Sequence, residues 1–217
     1  MSGRILAGVT ADTFKHMQLG AGAIIRDFDY SSVETPEEFR TAFLNAIRDG
    51  KSLGGTQGGI NVNITPTYRK REVDGASVPF KGDKVIDEWG CYMEATLKEF
   101  TPAIMQAAFP TAEFAEVGGS DSGITAMRIR TALSASDYVE NDCWIASTDF
   151  GYIMVAMFNT LGGTTAAIAA ADQAEGNIPF RVDGHIEDFE AIDFCPAEVW
   201  FVDMEGTISR NQVGGGP

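Results

Sequence analysis

Two stretches of alternating residues dominate the hydrophobic pattern of this chain. In the first, Ile60, Val62 and Ile64 alternate with Asn61, Asn63 and Thr65, the period-two signature of a half-buried strand. In the second, Val85, Trp89, Cys91, Met93, Ala95 and Leu97 are expected on one face and Glu88, Tyr92, Glu94, Thr96 and Lys98 on the other. Between them runs a charged loop from Tyr68 to Asp83, punctuated by Gly75, Pro79 and Gly82. Loops longer than about 12–15 residues are uncommon in compact domains and usually functional when ordered. A long loop carried on two long strands points to a part that reaches for a neighbour.

The clearest helical period follows Thr35, an N-cap residue with Pro36 at the first helical position and Glu38 placed to complete a capping box. Phe39, Phe43 and Ile47 recur every four residues as one apolar stripe, and Asp49-Gly50 stops the helix. Such a helix is expected to lie against the outside of a sheet. Thr101 and Pro102 open a second, short helix over Ala103–Ala108, ended by Pro110. Strands are predicted at Ala21–Phe28, Ile124–Leu133, Cys143–Ser147, Gly151–Phe158 and Glu198–Asp203, with a loop at Gly118–Gly123. Another is predicted where Ile178, Phe180, Val182, Gly184 and Ile186 alternate with polar residues and Pro179. Asn159–Ala171, rich in small residues, is permissive of helix or strand. No internal repeat and no linker divides the chain. The reading is one domain over residues 1–205 with a flexible tail over 206–217, mainly β, as a two-sheet β-sandwich or half-barrel with a flanking α-helix and a long projecting loop.

At 217 residues, the chain is long enough for one sizeable core. Its longest useful apolar run, Tyr152–Phe158, falls far short of the ~20 residues of a membrane helix. Ile5–Val9 is too short for a signal-peptide core, so a cytoplasm-like compartment is expected. The net charge of −15 argues against wrapping nucleic acid, though not against a surface along which DNA slides without sticking. Cys91, Cys143 and Cys195 are far apart, and His16 and His185 are the two histidines, so zinc ligation is not expected and the cysteines read as reduced structural thiols.

Apparent catalytic motifs do not hold. Leu19–Ile25 (LGAGAII) lacks the third glycine of a dinucleotide loop and its strand–turn–helix setting. In Gly119–Gly123 the position of a hydrolase nucleophile is occupied by Asp121. Glu88 and Glu94 share a strand face, but six residues at about 3.3 Å each put them too far apart for a glycosidase pair. Asp183, His185 and Glu187 would share one face of a strand, with Asp188 following, but a solvated or pore-facing polar strand is a commoner explanation of them than a metal, and no metal is assigned. Arg69, Lys70 and Arg71, with Lys81 and Lys84 closing the same loop, read either as a solvated loop or as a dock for an acidic face of another copy.

Four segments in order carry a family resemblance: GG-x-N-x-x-x-TP-T from Gly58, R-x-x-EVDG from Arg69, PFKG-x-KVIDEW from Pro79, and EATLKEFTP from Glu94. Together with ADTFKHMQLGAGAIIRDFD near the start and EGNIPFRVDGH over Glu175–His185, their order and spacing resemble the major tail tube proteins of long-tailed (siphovirus-like) bacteriophages and prophages. The helical segment Thr35–Gly50 departs from that pattern as an insertion. The resemblance implies a structural subunit, not an enzyme, without cofactor or metal. Hexameric rings of it would stack into a tube that holds the tape measure protein and conducts viral DNA in transit. Tail terminator and distal tail proteins would be further partners, with no membrane. The setting it implies is the virion tail, after synthesis in the bacterial cytoplasm. On this reading, Arg69, Lys70, Arg71, Glu72, Asp74, Lys81 and Lys84 form an inter-ring loop. Glu88, Glu94, Asp183 and Glu187 face the lumen, because the amphipathic helix would cover the outer wall. Contractile-tail or type VI secretion tubes, and a β-sandwich carbohydrate-binding module, remain the alternatives.

Overall fold

A computed structural model describes residues 17–71, 78, 80–119, 122–163, 169–171, 174–187 and 194–204. The strands are β1 (Gln18–Arg26), β2 (Thr56–Lys70), β3 (Lys84–Leu97), β4 (Ala112–Glu116), β5 (Thr125–Ile129), β6 (Val139–Thr148), β7 (Gly151–Gly162), β8 (Ala169–Ala171), β9 (Ala174–Asp183) and β10 (Ala197–Asp203). The helices are α1 (Pro36–Arg48) and α2 (Pro102–Ala108). The expected tail over 206–217, His16, Glu72, Asp74, Gly75 and Pro79 lie outside the described residues.

All pairings are antiparallel, in the order β1-β6-β7-β9-β3-β2. Strand β7 turns the corner of the fold. Its first part, Gly151–Met157, pairs with β10, whereas its end, Leu161 and Gly162, pairs with β9. At the opposite side the segment leading into β2 pairs with β1, through Arg26 N to Lys51 O and Leu53 N to Ile24 O, both 3.0 Å. The sheet therefore curls almost onto itself as a half-barrel sandwich, with β1, β6, β7 and β10 in one wall and β2, β3 and β9 in the other. Burial of Ile24, Trp144, Val155, Met93, Leu97, Ile178, Phe180 and Val182 between the walls makes the main core. Helix α2 closes it with Ile104, Ala107 and Ala108.

The β6–β7 centre of the first wall is buried on both faces. Ile25, Cys143, Ile145, Met154 and Ala156 point away from the main core and pack against Phe28, Phe39, Ala46 and Val202 in a second apolar layer under α1. Double burial explains why β6 and β7 read as continuous apolar runs while β2 and β9 alternate. The helix begins with the expected capping box: Glu38 N donates to Thr35 Oγ1 (3.3 Å) and Thr35 N to Glu38 Oε2 (3.0 Å). Bonds from the backbone of Glu34 and Thr35 hold the Glu38 carboxyl below the usual range. The buried stripe, however, is Phe39, Phe43 and Ala46; Ile47 is 43 % exposed. At 3.6 residues per turn, Ile47 lies about 80° around the helix from Phe39, whereas Ala46 lies within about 20° of it.

Inside the wall, Asp142 is fully buried. It accepts from Arg26 Nε (3.1 Å) and Nη2 (3.3 Å) and from Thr160 Oγ1 (2.6 Å), so the charge is paired and hydrogen-bonded. Burial still pushes its carboxyl above the usual range, against the pull of Arg26 and Thr160. Asn141 beside it receives Phe28 N (2.8 Å) and donates to Phe28 O (3.2 Å), fixing the approach to α1.

Several boundaries differ from expectation. Helix α1 does flank a sheet and α2 starts at Pro102, but the predicted Ile124–Leu133 strand stops at Ile129 and pairs with an unpredicted partner, β4. The strand through Phe180 ends at Asp183, so Gly184 and Ile186 are not part of it. Where α2 meets β7, a side chain on Gly162 would place its Cβ 2.4 Å from Ala107 O. Gly162→Ala is expected to cost about 1–3 kcal/mol by forcing α2 off the core, measured by urea unfolding.

Candidate functional site

The β2–β3 hairpin is longer than the sheet that receives it. Strand β9 pairs with β3 only from Tyr92 to Leu97, while β2 and β3 pair with each other out to Lys70 and Lys84. Past Cys91 the hairpin is therefore a two-stranded arm, with no third strand on it among the described residues. A register shift between Thr67 and Tyr68 makes Asp87 an extra residue, so Tyr68 stands opposite Ile86. That bulge puts Ile86 on the core-side face and moves Val85 opposite Arg69, on the other face, the reverse of the simple alternation.

The core-side face stays apolar along the arm although the core has ended. Met93 is fully buried, but Trp89 is 37 % exposed, Ile86 45 % and Tyr68 56 %, with Phe80 at 49 % near the tip. Trp89 was expected inside; it is outside because the opposite wall does not extend that far. Arg69, Lys70 and Lys84 were expected in the loop but belong to the strand ends, and the connection shortens to 71–83. Arg69 Nε lies 3.0 Å from Asp87 Oδ1, and Lys84 Nζ lies 5.8 Å from the centre of the Tyr68 ring. Lys70, Arg71 and Lys81 are exposed. The arm thus combines an apolar stripe with a basic fringe on a chain of net charge −15.

A second surface is the outward face of the β2–β3–β9 wall. Asn61, Glu94 and Arg181 stand in one cross-strand row, and Asn63, Tyr92 and Asp183 in the next. Arg181 joins the two rows: Nη1 lies 2.9 Å from Glu94 Oε1 and Nη2 2.7 Å from Asp183 Oδ1. Its guanidinium carbon lies 3.9 Å from the centre of the Tyr92 ring. Asp183 and Glu94 both strengthen its hold on its proton. Lys98 Nζ donates to Asn177 Oδ1 at 2.6 Å. Glu88 is exposed on the same face, opposite Thr67 on the arm.

Of the four acids expected to face the lumen, the fold brings together Glu94 and Asp183, on a shared arginine that alternation alone did not single out. Glu187 lies beyond the end of β9, beside a hollow of about 350 Å³ lined by His185, Ile186, Phe194 and Cys195. The strand geometry that would have aligned Asp183, His185 and Glu187 is therefore lost. His185 instead donates its backbone N–H to Phe158 O (2.9 Å) and sets Nδ1 3.1 Å from Asn159 O. Among the described residues no group of three His, Cys, Asp or Glu side chains is placed to hold a metal ion, and no helix is long and apolar enough to cross a membrane. Leu19–Ile25 lies within β1, with Gly20 and Gly22 at φ of 81° and 76° around an irregularity. The Gly119–Gly123 motif lies in the β4–β5 connection; its Ser120 and Asp121 fall outside the described residues.

These features define a mainly β half-barrel sandwich with a projecting arm and one polar wall. No family model matches the chain, and no curated protein matches it.

The end of the core predicts how substitutions divide along one strand. Met93→Ala should cost about 2–5 kcal/mol of folding stability. Trp89→Ser, on the same face but beyond the opposite wall, should cost less than about 1 kcal/mol. Parallel urea titrations check the contrast.

Proposed function

We propose that this chain is a structural subunit of a bacteriophage tail tube, in which identical copies join edge to edge into rings and stack through their arms. The observation that carries the reading is the apolar stripe Tyr68–Ile86–Trp89, built on a rigid hairpin and left outside the subunit's own core. Contiguous exposed apolar surface on an ordered element marks a place for a partner. Its basic fringe fits the acidic body of another copy, so charge complementarity favours self-association. The sequence resemblance to tail tube proteins supplies the kind of assembly, including a lumen occupied first by tape measure protein and then by DNA. No reaction and no cofactor form part of this proposal.

In such a tube the β1–β6–β7–β10 wall, already covered by α1, would face outward and the polar wall inward. The inward surface would then be a hydrogen-bonded field in which Arg181 is shared by Glu94 and Asp183. Phosphate would meet paired charges and have little reason to bind, so DNA could slide. Glu88 would carry the uncompensated charge.

Electron microscopy of the purified chain is the direct test, with rings or hollow tubes expected. Replacing Arg69, Lys70 and Arg71 by Glu should leave a folded monomer, by circular dichroism and unfolding, that forms no long tubes; normal tubes from this variant would remove the docking role. Glu88→Lys should permit assembly yet slow DNA ejection from intact particles, read by dye release. Unchanged kinetics would argue that the polar wall does not line the path.

The exposure of Trp89 and Tyr68 also bears on a carbohydrate-binding module, which would need exposed aromatic rings. Ile86, opposite Tyr68, is aliphatic and the arm projects past the end of β9, which favours a protein partner. Saturable binding of oligosaccharides, lost in Trp89→Ser without any assembly phenotype, would favour the module instead.

A further inference from the structure

Cys91 and Cys195 are 104 positions apart, yet their sulfurs lie 2.8 Å from each other. Both are free thiols, as is Cys143, which is buried in the outer layer. Cys91 is 4 % exposed on the core side of β3, where the arm leaves the sheet, and its carbonyl accepts Gly184 N at 2.9 Å. Cys195 is half-buried in the lead into β10, held by Phe158 N to Pro196 O at 3.0 Å. It borders the hollow beside Phe194 and His185.

A disulfide needs its sulfurs about 2.05 Å apart, so less than an ångström separates this contact from bond length. Cys91 and Pro196, the residue after Cys195, are held by backbone hydrogen bonds on different walls of the fold, so the pair is positioned by tertiary structure. Burial, and then Cys195, push the Cys91 thiol up to about 12, which leaves Cys195, on the hollow, as the group that meets a reagent first.

We propose that Cys91 and Cys195 are a latent intrachain cross-link, made as two thiols and closed by exchange with a small disulfide such as oxidised glutathione. The Cys195 thiolate attacks one glutathione sulfur, forming a mixed disulfide and releasing one glutathione thiolate. Cys91 then gives its proton to solvent and attacks the Cys195 sulfur. The second glutathione leaves as its thiolate, so two protein thiols are oxidised and one glutathione disulfide is reduced to two thiols. The bond ties the root of the arm on β3 to the lead into β10, and so one wall of the sandwich to the other. Its setting rests on the tail tube reading: a subunit made in a reducing cytoplasm and later released into an oxidising medium would lock after assembly. The pairing itself depends only on the fold of one chain.

The test uses the unassembled full chain, purified in reductant and exchanged into oxidised glutathione without it, so that its outcome is independent of whether tubes form. Thiol counts should fall from three to one, with peptide mapping assigning the bond to Cys91–Cys195 and the remaining thiol to Cys143. Tm should rise by roughly 5–15 °C and return on reduction. Cys195→Ser should abolish the shift, and Cys143→Ala should keep it. Three persisting thiols, a Cys195 adduct that stops at the glutathione stage, or a bond between two chains would each overturn the proposal.

Discussion

The length mismatch between the β2–β3 hairpin and β9 is the constraint on which the rest of the surface depends. Where β9 pairs with β3, the core-side residues meet an opposite wall and are buried. Where β9 stops, the same alternation continues and its side chains become exposed. A strand face made of Trp89, Ile86 and Tyr68 is an energetic liability in water and an asset against a partner. The bulge at Asp87 keeps this face apolar by moving Ile86 under Tyr68, and it frees the Asp87 carboxylate to hold Arg69 on the other side. One irregularity in register therefore sets the composition of both faces of the arm.

The two walls answer different demands. The β6–β7 centre of the β1–β6–β7–β10 wall is buried on both sides, by the main core and by the layer under α1, and the charged Asp142 buried there is met by Arg26 and Thr160. The β2–β3–β9 wall is buried on one side, and its open side gathers acids, amides and Arg181. Here a single guanidinium, stacked on Tyr92, bridges acids from two strands. Such a surface is wet and internally paired, unlike the arm, and the contrast is what separates a face suited to passage from one suited to adhesion.

The loop expected to dock was too broadly drawn. Arg69, Lys70 and Lys84 are strand residues, and two of these three are engaged by their own chain, with Asp87 and with Tyr68. In the proposed assembly, charge in this region would steer an encounter, while the area for a stable contact would come from the neighbouring apolar stripe. The four carboxylates expected on the lumen side are divided in the same way: Glu94 and Asp183 meet on Arg181, Glu88 stands on the arm, and Glu187 falls beyond the strand.

Local patterns by themselves determined the mainly β class, the two long strands, the capped helix at Thr35 and its place against a sheet, because each depends on periodicity and capping within a few residues. The Phe39 stripe was legible to within the drift of a 3.6-residue turn, which is why Ala46 takes the place that Ile47 was expected to fill. Only the tertiary structure decided where burial ends along β3, since that depends on how far β9 reaches from another part of the chain. It alone decided that Arg181 would sit between Glu94 and Asp183, because the register of β9 against β3 pairs residues far apart in sequence. It alone brought Cys91 against Cys195: two residues on different walls carry no mark of each other in the sequence, and only the curl of the sheet makes them neighbours.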